Sequence, residues 1–471
     1  MVDVTSLINS VKGDVITPDH PDYDSAIARW AKNAERKAGV VVCVKNAEDV
    51  ARCIAFAKAN NLPIAIRGGG HNAAGASSSD GGLVIDLHQH LRQVRVDVEK
   101  KLGYVGGGAV WKDVDVEAIK YGLATVGGTV NHTGVGGLTL GGGYGWLSGR
   151  HGLTIDNLVQ VTIVTADGSV LTANETENTD LFWAVRGGGG NFGVVTEFVY
   201  KLHPQRKTVF AGFIAFTPDK LEKLVEVTKK WWDNVKADDE AMIQAVGAPH
   251  GRPVVAACLF YNGSEEEGRA NFKEFYDLGP VKDDAKEIPY EELNSLHGHS
   301  VDHGKCFYLK GVCYKYPDVN SIAEVLEKSQ EISKRGDFTT GMMFEYFPLG
   351  KANAVPISAT AFRRELGSNL LTLITWEGFP EKTEEARNVA SELIDIVMKG
   401  PGALTKSQQG YTNYGHDIDF PPEYSLAAPT VDHAAQKSEA AFASNYPRLQ
   451  AIKKKYDPAN IFNRWFPITP A

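Results

Sequence analysis

Glycine crowds into four short stretches of this chain, residues 67–75, 106–108, 127–152 and 187–193. That crowding limits the possible folds more than any other feature. Within a regular element glycine costs roughly 0.5–1 kcal/mol relative to alanine, so a domain gains no stability from it. What glycine offers is positive φ, close approach of a ligand to the backbone, and runs of N–H groups that form anion-binding nests. One such stretch alone is most simply a turn or a bulge. Four of them between residues 67 and 193 point to a phosphate-bearing guest, with a diphosphate the natural choice.

The usual nucleotide signatures are absent or misplaced. No G-x-x-x-x-G-K-[ST] occurs, which excludes a P-loop. Gly188 to Gly193 spells G-x-G-x-x-G, but a helix-like run precedes it and a β-branched strand follows. The dinucleotide fingerprint works only between a strand and the N-terminus of a helix, so a Rossmann domain is not expected.

The other bulk properties mainly exclude. A chain of 471 residues can hold two or three domains and needs no disulfide staples. Its 58 acidic and 49 basic residues are interspersed, leaving no basic stripe for nucleic acid. No apolar run approaches the ~20 residues that span a bilayer, and the N-terminus lacks signal-peptide order, so a cytoplasmic, non-membrane protein is expected. The five cysteines are scattered without a C-x-x-C pair, as suits reduced thiols. His297, His299, His303 and Cys306 lie close together. They have neither paired cysteines nor a helix-borne H-E-x-x-H, so no metal is expected.

Residues 39–71 read as a β-α-β unit: a buried strand, an Asn46 helix cap, apolar Val50, Cys53, Ile54 and Ala57 at helical spacing, and a second strand running into Arg67 and His71. Residues 158–173 read as a hairpin around Asp167-Gly168, residues 180–185 as a short helix and 194–200 as a strand. Beyond Pro204 glycine thins out. Amphipathic stretches at 218–235, 319–335 and 383–398 then alternate with strand-like runs at 209–216, 254–260 and 370–376, as in a sheet with helices laid on it. Near Tyr411 the character changes again, ending in a helix over 445–456.

Ordered motifs run through the whole chain. They are Arg67-Gly-Gly-Gly-His71-Asn72, the run from Gly127 through Val130, His132 and Gly137 to Gly145, Gly152-Leu-Thr-Ile-Asp156-Asn157, and Trp183 to Gly193. Tyr411-Thr-Asn-Tyr414, Asn445 to Leu449 and Tyr456 to Phe462 complete the set. Together they resemble the berberine-bridge-enzyme-like branch of the vanillyl-alcohol-oxidase flavoproteins, with a pattern similar to its monocovalent members. The resemblance implies an α+β fold. An FAD-binding domain at 1–206 and a returning C-terminal segment at 405–471 would enclose a substrate domain at 207–404, an antiparallel sheet covered by helices.

It further implies FAD held covalently through His71 alone, because Val130 stands where many relatives carry a second, cysteinyl attachment. His132, two residues on, is not expected to replace that ligand. Backbone contacts to the diphosphate are implied for Gly68, Gly69, Gly70 and Asn72, with Arg67 as a source of charge. The rest of FAD is assigned to Thr129, Gly134, Gly137, Gly141, Gly152, Val195 and Asn413. Thr133 falls near the flavin C4a, and Leu138 replaces a histidine used by some relatives.

Oxidation needs a C–H bond aimed at the flavin and a base for the O–H or N–H proton. By resemblance Tyr414 is that base and Tyr411 shapes the pocket. A tyrosine of pKa ≈ 10 serves only if a positive charge or hydrogen bonds stabilise the phenolate; otherwise both rings simply pack on the flavin. Glu345, Arg363 and Trp376 would face the substrate if their strands lie over the flavin. The expected activity is hydride transfer from an alcohol, amine or sugar carbon to FAD, with dioxygen reoxidising the flavin to give hydrogen peroxide. Alternatives are oxidative or non-redox ring closure in secondary metabolism, or a dehydrogenase with poor oxygen reactivity. Substrate identity and oligomeric state are not written in the sequence.

Overall fold

The computed structural model describes residues 2–235, 239–316, 318–364, 367–401, 411–415 and 433–471. The expected boundary at 404/405 lies outside the described residues. The β-α-β unit forms as its pattern dictates. Strand Val40–Cys43 leads into helix Ala47–Ala59, whose Asn46 side chain accepts from the Asp49 N–H, and strand Ile64–Arg67 follows. The two strands are not neighbours. Strand Leu83–Asp86 lies between them, parallel to both, in a four-stranded sheet.

A second, antiparallel sheet of five strands holds the hairpin Leu158–Val164/Val170–Asn174, with Gly168 at φ 86° in its turn. At its centre is strand Val194–Lys201. Helix Thr179–Val185 and the C-terminal helix Tyr446–Tyr456 share an apolar cluster against this sheet.

The third sheet has eight strands, all antiparallel, drawn from the segment between Thr208 and Trp376. Its two faces are apolar for different reasons. In strand Thr339–Tyr346, Met342, Phe344 and Tyr346 pack beneath helices Leu221–Asp233, Val319–Arg335 and Thr383–Lys399. Met343 and Glu345 alternate onto the opposite face, toward the glycine-rich segments. The same period of two assigns Leu370, Ile374 and Trp376 of strand Ser368–Trp376 to the helix side, and Leu371 and Leu373 to the other. Among the described residues no helix is long and apolar enough to cross a membrane.

A buried carboxyl joins the layers. Asn294 donates to Asp115 at 2.8 Å across the contact between helix Trp111–Ile119 and the turn Tyr290–Ser295. Burial pushes Asp115 up to about 7, only partly offset by that hydrogen bond. The folded state therefore holds a proton the unfolded chain has lost, and this contribution, complete below about pH 4, disappears as pH rises through 7. Asn294 Oδ1 is buried without a partner, so Asp115→Asn supplies a donor at every pH. The expected result is a gain on the order of 2–4 kcal/mol at pH 8 and almost none at pH 4, read from urea unfolding at both.

Candidate active site

The glycine stretches meet backbone to backbone. A Cβ on Gly69 would lie 2.5 Å from the Gly134 backbone, one on Gly134 2.5 Å from Gly69 N, and one on Gly68 3.1 Å from the Gly107 carbonyl. Gly70 follows at φ 67°, the left-handed conformation that glycine adopts without strain. Around this contact opens a cavity of about 1600 Å³. Gly137 and Gly190 line it, and a Cβ on either would meet nothing within 4 Å. The bare backbone therefore leaves room on the scale of a dinucleotide, and the residues fit FAD.

Of the cofactor residues expected from sequence, Gly68, Gly69, Gly70, His71, Asn72, Thr129, Thr133, Gly134, Gly137, Val195 and Asn413 line this cavity, with Val130 and Leu138 beside them. Three others serve the frame around it. Arg67 pairs with buried Asp86 at 2.9 Å. Gly141 makes room for the Asn413 carboxamide, which a Cβ there would strike, and Asn413 donates to the Leu138 carbonyl. Gly152 ends helix Ser148–His151 at φ 77° against Asp156.

His71 is clamped. Its ring stacks on Trp30 at 4.0 Å, Trp30 stacks on Phe307, and its Nε2 lies 3.1 Å from His132 Nδ1. Burial, reinforced by the neighbouring His132 and His303, holds its pKa well below the usual range, so the imidazole is neutral.

Across the cavity stands Glu345, 3 % exposed. Tyr144 donates to its Oε2 at 2.5 Å, Asn369 to the same oxygen at 3.0 Å, and Tyr414 to Oε1 at 2.8 Å. Tyr414 sits on the turn Thr412–Tyr414 and packs close to Gly311, where a Cβ would stand 3.2 Å from that of Tyr414. Tyr411 accepts from the Gly143 N–H at 3.0 Å and from Asn413 at 2.6 Å, with its ring at a right angle to Tyr414. Burial lifts Glu345 to about 7 against the pull of its three donors. Burial and then the Glu345 charge push Tyr414 and Tyr144 well above the usual tyrosine range, and burial raises Tyr411. The Tyr414 hydroxyl donates to the Glu345 carboxyl, a contact that favours the phenol over the phenolate.

The other two residues expected at the substrate are placed differently from Glu345. Trp376 also lines the cavity, but its ring packs against Phe338 on the helix side and its N–H donates to the Phe379 carbonyl. Arg363 does not line the cavity and lies near Cys313. Its neighbour Arg364 pairs with Asp156 at 2.6 Å. The histidine cluster is dispersed. His297 lies parallel to Trp146 inside the cavity, His303 neighbours His132, and Cys306 is buried on the helix side. The His299 side chain lies outside the described residues. Among the described residues no three His, Cys, Asp or Glu side chains are grouped to hold a metal. Tyr144 and Asn369 were not singled out from the sequence, because what marks them is their contact with Glu345, 201 and 24 positions away.

Comparison with known proteins gives the geometry its setting. Residues 38–174 match the FAD binding domain family, and residues 410–467 match the berberine and berberine-like family. An FAD-linked oxidoreductase of Aspergillus terreus is 33% identical over 100% of this chain and 96% of its own length. The (R)-6-hydroxynicotine oxidase of Paenarthrobacter nicotinovorans is 30% identical over 98% of this chain and 97% of its own. The crystal structure of 6-hydroxy-D-nicotine oxidase from Arthrobacter nicotinovorans superposes with a TM-score of 0.87, 28% identity and 100% coverage of both chains. Full-length identity at this level, joined to an FAD-sized glycine cradle, makes the chain a member of the berberine-bridge-enzyme-like FAD-linked oxidoreductases.

Proposed function

We propose that this oxidoreductase removes hydride from a carbon of a compact, largely apolar alcohol or amine, with Glu345 receiving the O–H or N–H proton and dioxygen taking the electrons as hydrogen peroxide. Bound FAD supplies the hydride acceptor. The observation that carries this reading is the Glu345 carboxyl, buried on the cavity wall and held near 7, where a base and its conjugate acid are both available at neutral pH. Tyr144, Tyr414 and Asn369 orient it through their hydrogen bonds, so the phenols act as positioning groups.

The wall around Glu345 favours an apolar substrate over a sugar. Met343, Leu371, Leu373, Ile243 and Phe213 line the same cavity, and each hydroxyl buried there without a partner costs about 1–3 kcal/mol. Attachment of FAD through His71 alone is part of this proposal, supported by the clamped neutral ring of His71 and by Val130, whose side chain offers no nucleophile.

The test is anaerobic mixing with compact alcohols and amines, (R)-6-hydroxynicotine among them, and with cello-oligosaccharides, while following the flavin absorbance. Bleaching by the first group, with recovery and peroxide on admitting air, is the expected result. Bleaching without recovery would make the enzyme a dehydrogenase. Faster bleaching by the sugars would overturn the substrate class, and cyclised product without net electron transfer would overturn the oxidation itself.

A further inference from the structure

We infer that His297 anchors a second polar group of the substrate, an uncharged hydroxyl on an aromatic ring at the end of the molecule remote from the oxidised carbon. The inference rests on the reading of Glu345 as the base. One row of the eight-stranded sheet joins the two residues. Glu345 stands opposite Ile243, Ile243 opposite Cys258, and Cys258 opposite Phe213. Directly opposed residues share a face, so all four side chains point the same way, and three strand spacings set the ends of the row ~14 Å apart. His297 stands at the far end, its ring at a right angle to Phe213 with 5.3 Å between centres. Phe213, Ile243, His297 and Glu345 all line the cavity. The two polar side chains are thus separated by an apolar stretch of wall.

His297 is a polar ring in aromatic surroundings. It lies beside Phe213 and parallel to Trp146, and its Nε2 is buried without a hydrogen-bond partner. A buried polar atom left unpaired is costly, so its presence on this wall needs a cause. The side chain as a whole is only partly buried, and the space it lines is the cavity. A half-turn about χ2 leaves the outline of the ring almost unchanged and brings a nitrogen to the other edge. The segment that carries it is fixed before any ligand arrives. Asn131 donates from its backbone to the Asn294 carbonyl at 2.8 Å and from its side chain to Ser295 at 2.9 Å, while Asn294 donates to Asp115.

The chemistry of the ring selects the guest. Burial lowers its pKa to about 4 with no charged neighbour contributing, so the imidazole is neutral, with one donor and one acceptor nitrogen. A hydroxyl both donates and accepts, and so pairs with either tautomer. A carboxylate or phosphate here would be buried without a counter-charge, which is strongly unfavourable. Phe213 supplies a ring for an aromatic group to pack on, so the hydroxyl is best carried as a phenol or its heteroaromatic equivalent. Anchored at that end, an elongated substrate lies along the row over Ile243 and brings its alcohol or amine to Glu345. His297 touches substrate far from the reacting carbon, so it governs which molecules bind and in which direction they lie.

The experiment uses the full-length, FAD-loaded enzyme and matched pairs of probes. In the first set, para-alkylphenols are compared with alkylbenzenes of the same chain, and binding is read from the shift each causes in the flavin absorbance. In the second, amines and alcohols ending in a para-hydroxyphenyl group are compared with their phenyl counterparts by anaerobic flavin reduction. For His297→Leu and His297→Phe, the preference for the hydroxylated member of each pair should fall about 10–100-fold from wild type, the cost of leaving that hydroxyl buried and unpaired. In reduction the loss should fall on the half-saturating concentration more than on the limiting rate. His297→Gln, which keeps a donor and an acceptor, should recover part of the preference. An unchanged preference in both apolar variants, or an equal loss for both members of every pair, overturns the subsite while the role of Glu345 stands. A preference lost in the binding set, with no amine or alcohol bleaching the flavin, supports the subsite and overturns the oxidation reading.

Discussion

Replacing Glu345 by glutamine is expected to slow flavin reduction by about 10²–10⁴-fold, the range for loss of a general base. Glutamine keeps the shape of the side chain, with its single oxygen accepting from one phenol while the other phenol turns to accept from the amide N–H, so the cavity keeps its outline while the proton acceptor is gone. In the wild type the working form is the carboxylate. The reduction rate therefore rises with pH through about 7, where burial holds this group, and levels off above. The variant should show no such limb. Tyr414→Phe separates the two candidate bases. It removes one of the donors that hold the Glu345 pKa down, so the limb should move to higher pH with the plateau within about tenfold of wild type. A full loss in Tyr414→Phe beside an active Glu345→Gln would hand the role back to the tyrosine. Stopped-flow reduction under anaerobic conditions reads every arm.

Replacing Lys453 by methionine is expected to cost about 3–5 kcal/mol of stability, as for other broken buried ion pairs. Lys453 and Asp457 are both 0 % exposed and 2.7 Å apart. The ammonium also donates to the carbonyls of Asn191 and Phe462 at 2.7 Å each, while Asp457 accepts from the Ile461 and Phe462 N–H groups. Without the lysine a buried carboxylate keeps those two amides as its donors among the described residues, and two carbonyls lose their donor. Adding Asp457→Asn should return part of the loss, since the remaining group is then neutral. A fall in the urea midpoint, reversed in part by the second change, is the expected pattern. An unchanged midpoint would mean that water replaces the ammonium.

Local chemistry was readable where neighbours along the chain decide it. Asn46 capping its helix, the Asp167-Gly168 turn and the amphipathic helices at 319–335 and 383–399 all follow from residues within a few positions of each other. The order of the four-stranded sheet was not, because Leu83–Asp86 enters between two strands that a β-α-β pattern alone would pair. The sheet above the cavity shows the same limit. Ser368–Trp376 is apolar on both faces, so its alternation does not say which side meets the flavin, and Trp376 falls to the helices. Glu345 was visible as a residue near substrate, but its donors are 201, 69 and 24 positions away. Its raised pKa comes from burial, against the pull of those donors, and so exists only in the folded chain.

The tie between Lys453 and Asn191 also sets a schedule for biogenesis. Those residues are 262 positions apart, and at translation rates of about 5–20 residues per second the second follows the first by roughly 13–50 s. Until then the 187–193 loop lacks its clamp, so a nascent chain emerges with the wall of its cradle unfinished. Prosthetic-group capture should therefore trail release from the ribosome, and ribosome-bound chains halted before residue 453 should take up no flavin.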